Sequence, residues 1–260
     1  MFSHLNVELS SKCNKSCSMC GRRKMEREHP ELCDWGFMDF EMVRAIARQV
    51  PNKTIVQLHN NGEPTLYPYL DSALAQFKHC FRQFNTNGKL IVEKANEIIE
   101  NMDVLTISVV ENDPEADEQY ETVKEFLSIK GSRKPGLVYR LLGRVSEETR
   151  WRELPGKVAK RVLHAPGGSY DYEKEVTIPE IGVCLDLLTH LSIDRYGNIS
   201  LCVRFDPKRH LIIGNVRQIS LFDAFRSPKR MKYIEKHLEQ KRDECPGCNE
   251  CHYYGCPRGE

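Results

Sequence analysis

Three cysteines, Cys13, Cys17 and Cys20, fall within eight residues, directly after the short run Leu5-Asn6-Val7-Glu8-Leu9. Thiols at this density serve as metal ligands far more often than as core residues. A structural zinc site closes with four ligands. A four-iron cluster held by three cysteines instead leaves one iron without a protein ligand, open to a small molecule. Cysteine runs of comparable spacing hold iron–sulfur clusters. The competing reading is a zinc knuckle, with His4, His29 or Cys33 as fourth ligand.

The rest of the composition narrows the class. With 260 residues the chain can build one sizeable core plus a small appendage. Its 38 basic and 37 acidic residues nearly cancel. No overall field therefore draws it to nucleic acid or to an anionic membrane. No apolar run approaches the roughly 20 residues that span a bilayer, and no secretory signal pattern opens the chain. The eleven cysteines cluster at short spacings. That argues for metal over disulfides, and so for a reducing, cytoplasmic setting.

Along the chain, β-like runs alternate with helical ones. Leu5–Leu9, Thr54–Leu58, Phe81–Thr86, Val104–Val110, Leu137–Leu142 and Val158–Leu163 read as strands. Between them, apolar residues recur at helical spacing after Asp39, an expected N-cap, and over Leu70–Phe77, Leu90–Ile99 and Tyr120–Leu127. This alternation predicts βαβ units and a parallel sheet. Six units fall short of the eight of a closed barrel, so a partial (β/α)6 barrel is expected, with its site beyond the carboxyl ends of the strands. The pattern changes near residue 170. Residues 1–170 are expected to form the barrel, and 171–260 a small extension with four short β-like pieces around cysteines. A basic helical stretch from Ser220 to Gln240 leads to a cysteine-rich tail.

The cysteine triplet after the first strand resembles the signature of the radical S-adenosylmethionine (radical SAM) superfamily. The residue before the third cysteine is usually aromatic there; here it is Met19, whose thioether can fill the same place beside the adenine. Asn60-Asn61-Gly62-Glu63-Pro64 ends the second strand and is similar to the family's Gly-Gly-Glu-Pro motif, with Asn61 in place of the first glycine. The resemblance implies that the open iron binds SAM, that Asn61, Gly62, Glu63 and Pro64 receive its amino group, and that cleavage yields a hydrogen-abstracting radical. Asn87 and Ser108, at later strand ends, are the implied contacts to ribose and carboxylate. Arg140, alone in an apolar strand, is the candidate to bind SAM or to bind and deprotonate a substrate alcohol. His59 and Gly143 are weaker candidates.

A second cysteine set follows as Cys184-x12-Gly197-x4-Cys202, then Cys245, Cys248, Cys251 and Cys256. It resembles the SPASM and twitch extensions of that superfamily, which hold auxiliary [4Fe-4S] clusters. Six thiols are too few for two clusters with four each, so one auxiliary cluster is expected, with Cys184, Cys202 and two of the tail. Cys248 with Cys251, followed by His252-Tyr253-Tyr254 that could shield one side, is the expected tail pair; Cys245 with Cys248 is its rival, and Cys256 is expected to be free. A zinc ribbon of the same residues is the competing reading. Cys33 and Cys80 have no partners at ligand spacing and read as small apolar fillers.

The resemblance implies a radical SAM oxidoreductase that takes two electrons from a small polar metabolite, such as a sugar or cyclitol, with flavodoxin or ferredoxin as reductant. Two alternatives stand beside it. One is a peptide-modifying radical SAM enzyme, against which the chain's start at its first strand is an expectation. The other is a metal-cluster module that binds nucleic acid through Lys229, Arg230, Lys232, Lys236, Lys241 and Arg242. These basic residues also fit the solvated face of a helix.

Overall fold

The computed structural model describes residues 1–161, 183–203, 206 and 208–251. Among the described residues, nine strands form one sheet in the order β6-β5-β4-β3-β2-β1-β7-β8-β9. Strands β1 (His4–Val7), β2 (Ile55–Gln57), β3 (Phe81–Thr86), β4 (Val104–Val110), β5 (Gly136–Leu142) and β6 (Lys157–Arg161) pair in parallel, each with the next. This is the expected partial barrel of six parallel strands. Strands β7 (His190–Ile193), β8 (Asn198–Ser200) and β9 (Ile212–Asn215) make an antiparallel meander. β7 lies parallel to β1, on its other side. The sheet therefore runs unbroken from the barrel into the extension, and β1 is the strand shared by both. The boundary expected near residue 170 lies outside the described residues, as do the Ala165–Ile181 segment, the end of the sixth expected strand, and Cys256.

Side chains alternate across a strand, and here the two faces differ in kind. Leu5, Val7, Val56, Phe84, Leu105, Ile107, Tyr139 and Leu141 are fully or almost fully buried. They join the core with helix residues Val43, Ile46, Leu70, Leu74, Ile98, Val123, Phe126 and Trp151. The opposite face carries Asn6, Gln57, Gln83, Asn85, Ser108, Arg140 and Ser192. Register aligns Asn6 with Gln57 and with Ser192, and Ser108 with Arg140. An apolar outer face under helices and a polar inner face is what a barrel with an internal site requires.

The helices are α1 (Gly21–Glu28), α2 (Phe40–Ala47), α3 (Leu70–Gln76), α4 (Ala95–Ile98), α5 (Ala116–Lys130), α6 (Glu148–Glu153), α7 (Leu185–Thr189), α8 (Leu221–Phe225) and α9 (Pro228–Leu238). Asp39 caps α2, accepting from the amides of Glu41 and Met42, as expected. Three helices escape the periodicity. Among their residues α1 buries Gly21 and Arg22, α6 buries Trp151 and α7 buries Leu187, too few to make an apolar stripe. The face expected over Leu90–Ile99 is buried at Ile91, Ala95, Ile98 and Ile99, but only Ala95–Ile98 closes as α-helix. The basic stretch is two helices. Ser227 caps the second by accepting from Arg230 N–H, and Pro228 occupies its first turn, where a missing N–H costs nothing.

Candidate active site

The site gathers at the carboxyl ends of β1 to β5. The cysteine loop leaves β1 and is moored at three places. Lys15 pairs with Asp113 and lies 3.6 Å from Glu115, both in the loop after β4. Asn87 Nδ2, just after β3, donates to Asn14 Oδ1 at 2.7 Å and reaches Cys13 Sγ at 3.8 Å. The third mooring is backbone on backbone: Glu63 N–H donates to Lys12 O at 2.7 Å.

Gly62 explains that last contact. A Cβ there would stand 2.1 Å from Ser10 O and 2.7 Å from Lys12 O. The loop after β2 thus lies directly on the backbone that leads into the cysteines, and only glycine fits.

Glu63 is buried and turned inward. Its Oε1 accepts from Thr65 N–H (3.1 Å), Thr65 Oγ1 (2.7 Å) and Thr86 Oγ1 (2.8 Å), and its Oε2 accepts from Asn87 N–H at 2.8 Å. Burial raises its carboxyl above the ordinary range, against the pull of those donors. The carboxylate ties the end of β2 to the end of β3. Nothing in the sequence marks Thr65 and Thr86 for this role, since a threonine in or beside a strand carries no signal of a buried carboxylate partner.

Asn87 is held from a second side. Gln119 of α5, 4% exposed, donates through Nε2 to Asn87 O at 2.6 Å and to Ser108 O at 3.0 Å. Gln119 therefore aligns the ends of β3 and β4. Gly88 has φ of +84°, the turn that the Asn-Gly pair foretells. Ser108 and Arg140 are registered neighbours on β4 and β5. Beyond them, Gly143 at φ +78° makes room for Glu111, which accepts from Arg144 N–H at 2.6 Å. His59 Nδ1 accepts from Asn85 N–H at 3.2 Å, which ties the end of β2 to β3.

Cys13, Cys17 and Cys20 are all partly exposed and lie within electrostatic reach of one another. Burial pushes the Cys17 thiol up to about 11, with Lys15 pulling the other way. Loading iron must therefore displace protons. Cys20 sits at the N-cap position of α1; burial raises its thiol too, against the pull of the Arg22 amide in the first turn. Among the described residues, no three His, Cys, Asp or Glu side chains converge as on a single metal ion. A four-iron cube spreads its thiolates around a larger body.

The second set is assembled by the extension. Cys245, 2% exposed, packs with Leu187, Leu201, Leu211 and Tyr233, and Cys184, Cys202 and Cys248 border the same cluster. Burial raises the Cys248 thiol far above its ordinary range, and the neighbouring Cys251, Cys245 and Cys184 add to the shift. Thiols far apart in the sequence are thus one group in space. Two supports are not visible in the sequence. His237 Nδ1 accepts from Cys184 N–H at 3.3 Å, and burial drives its ring down to about 4, so it is neutral at ordinary pH. Arg230, 5% exposed, donates to Leu187 O, Leu188 O and Phe225 O at 2.8 to 3.1 Å, fixing α7 just after Cys184. Of the two expected fillers, Cys80 is buried, but Cys33 is half-buried and points to His29 O at 3.5 Å.

Both donor sets suit iron–sulfur clusters: thiolates in one loop beside an amide donor, and four thiols around one apolar pocket. Residues 184–252 match the SPASM family, an iron–sulfur cluster-binding domain. A segment of 96 residues is 29% identical to the tungsten-containing aldehyde ferredoxin oxidoreductase cofactor-modifying protein of Pyrococcus furiosus, covering 35% of this chain and 25% of that relative. The chain thus spans about a quarter of that relative's length. The fold is similar to BtrN in complex with AdoMet and 2-DOIA, with TM-score 0.63 and 18% identity over 97% of this chain and 94% of that one. It is similar to anSMEcpe with bound AdoMet, with TM-score 0.69 and 14% identity over 96% and 88%. It is also similar to SuiB of Streptococcus suis bound to the precursor peptide SuiA, with TM-score 0.67 and 15% identity over 98% and 72%. No helix among the described residues is long and apolar enough to cross a membrane. The second thiol set thus lies in a segment that matches an iron–sulfur cluster-binding domain of the SPASM family, and the partial barrel that carries the cysteine triplet shares its fold with the AdoMet-bound structures of BtrN and anSMEcpe.

Proposed function

We propose that the chain is a radical SAM oxidoreductase that removes two electrons from a small polar metabolite such as a sugar or cyclitol. When bound, SAM and its cluster supply a hydrogen-abstracting radical, and the auxiliary cluster accepts an electron from the substrate. The observation that carries the reading is the second thiol set: Cys184, Cys202, Cys245 and Cys248 border one apolar cluster. Four protein thiolates would leave no iron of that cluster open to substrate, which suits electron transfer. Cys251 is also an electrostatic neighbour of Cys248, so Cys245 and Cys251 compete for the fourth place.

The placement of the barrel residues supports the following roles. Cys13, Cys17 and Cys20 hold the SAM cluster. The Asn61-Gly62-Glu63-Pro64 loop and Met19 border the SAM site, with Glu63 setting the loop's shape from inside. Ser108 and Arg140, side by side on β4 and β5, present a hydroxyl and a cation to SAM or to a substrate hydroxyl. The chain matches BtrN over nearly the whole of both chains, and that structure holds 2-DOIA together with AdoMet. SuiB, bound to a precursor peptide, has the same fold and supports a peptide-modifying second reading. A reduced flavodoxin or ferredoxin is the proposed electron donor, and the cytoplasm the proposed setting. Residues 1–170 and 171–260 are proposed as barrel and auxiliary domain.

Anaerobic reconstitution tests this. The protein should hold about eight irons as two four-iron clusters and, reduced with dithionite, convert SAM to 5′-deoxyadenosine. Cys184→Ala should remove about half the iron, and whichever of Cys245→Ala and Cys251→Ala does the same identifies the tail ligand beside Cys248. Stoichiometric zinc without SAM cleavage would sink the reading. A panel of polyols and of peptides, scored for substrate-dependent 5′-deoxyadenosine, separates the first reading from the second.

A further inference from the structure

Glu8 is a buried carboxylate that none of the roles above uses. It is 5% exposed and follows β1, the strand shared by barrel and extension. Its two oxygens face opposite ways. Oε1 accepts from Asn61 N–H at 3.2 Å, in the loop that ends β2. Oε2 accepts from Arg195 N–H at 3.3 Å, in the turn that joins β7 to β8. With Asn60, Ser192 and Cys202, the same residues border a cavity of about 120 Å³.

The turn is tied onward to the cysteine loop. The Arg195 guanidinium donates to Asp34 Oδ2 at 2.6 Å and covers Gly36, where a Cβ would come within 2.7 Å of it. Gly36 N–H donates to Ser11 Oγ at 2.9 Å, and Ser11 N–H to Gly36 O at 2.9 Å. Ser11 stands two residues before Cys13. A carboxylate removed from water is retained only where donors hold it, and Glu8 has a backbone amide on each side.

We propose that Glu8 is a positioning residue that braces the SAM-binding loop against the auxiliary-cluster extension, so that the two parts of the site keep one spacing. The proposal rests on the two-cluster reading above. One oxygen sets Asn61, and with it the Gly62 contact on Ser10 and Lys12. The other sets Arg195, and with it the hairpin whose second strand ends two residues before Cys202. Neither tie survives alone without leaving half a buried carboxylate unpaired.

The test is Glu8→Gln and Glu8→Asp in reconstituted enzyme. Glutamine offers one acceptor oxygen and an NH2 that cannot accept, and aspartate is too short to reach both amides. Both variants should load the full complement of iron. Amide hydrogen exchange should rise at Asn61 and at Arg195 together, and SAM binding, read from its shift of the reduced cluster's EPR signal, should weaken about tenfold. Exchange that rises at only one loop, or at neither, overturns the brace. So does unchanged SAM affinity with both loops loosened. The exchange arm needs no SAM turnover, so it decides the brace even where SAM cleavage fails and the functional reading falls with it.

Discussion

Gly62 lies against Ser10 so closely that a Cβ would come within 2.1 Å of the serine carbonyl oxygen. The neighbour is backbone and has no rotamer to yield. Gly62→Ala must therefore push the loop after β2 off the cysteine loop. An overpacked contact of this kind costs about 1–3 kcal/mol, and here the displacement falls on the loop proposed to bind SAM. The expected outcome is at least a tenfold loss of SAM affinity with a modest fall in melting temperature. Wild-type SAM affinity in the variant would refute the packing argument.

Thr86→Val removes one donor from a fully buried carboxylate. Glu63 Oε1 keeps Thr65, and Gly88 N–H loses its acceptor, Thr86 Oγ1, at 3.0 Å. Leaving buried polar groups short of partners costs about 1–3 kcal/mol. Thermal unfolding should report that loss, and 5′-deoxyadenosine formation should slow while the iron content stays whole. Thr86→Ser, which restores the hydroxyl, should recover most of both.

Arg230→Leu tests the extension. It would leave the carbonyls of Leu187, Leu188 and Phe225 without their guanidinium, at a cost on the order of 3 kcal/mol. Because α7 follows Cys184 directly, the loss should appear first as auxiliary iron. Iron titration should fall toward about half while the SAM-cluster EPR signal persists. An equal loss of both clusters would show that Arg230 serves the whole fold instead.

Glu8 should give the apoprotein a pH signature. Burial raises its carboxyl from an ordinary 4.5 to about 7. The folded state then binds the proton more tightly than the unfolded one, so its contribution to stability is full below about pH 4.5 and is lost as pH rises through 7. A shift of that size corresponds to about 3 kcal/mol. Denaturant titrations between pH 5 and 8 should show stability falling with pH, and Glu8→Gln should flatten that slope. Parallel slopes in the two proteins would remove Glu8 as its source.

The candidate site of this protein was legible in short runs of residues. Cys13, Cys17 and Cys20, the Asn61–Pro64 run and Cys184-x12-Gly197-x4-Cys202 are local patterns, and the five strands from β1 to β5 carry their own apolar periodicity. Helices α1 and α6 were not legible, because charged residues dominate them and α1 buries only Gly21 and Arg22, α6 only Trp151. What only the tertiary structure decided are contacts between distant segments: Glu63 with Thr86, Gln119 with Asn87 and Ser108, Arg230 with Leu187, and Glu8 between Asn61 and Arg195. Nothing in local sequence encodes them, since a buried polar group takes whatever donor the fold brings within reach. The parallel pairing of β7 with β1 belongs to the same class. A four-residue strand does not specify its neighbour; the shared sheet does, and it places the second thiol set on the far side of the strand that leads into the first.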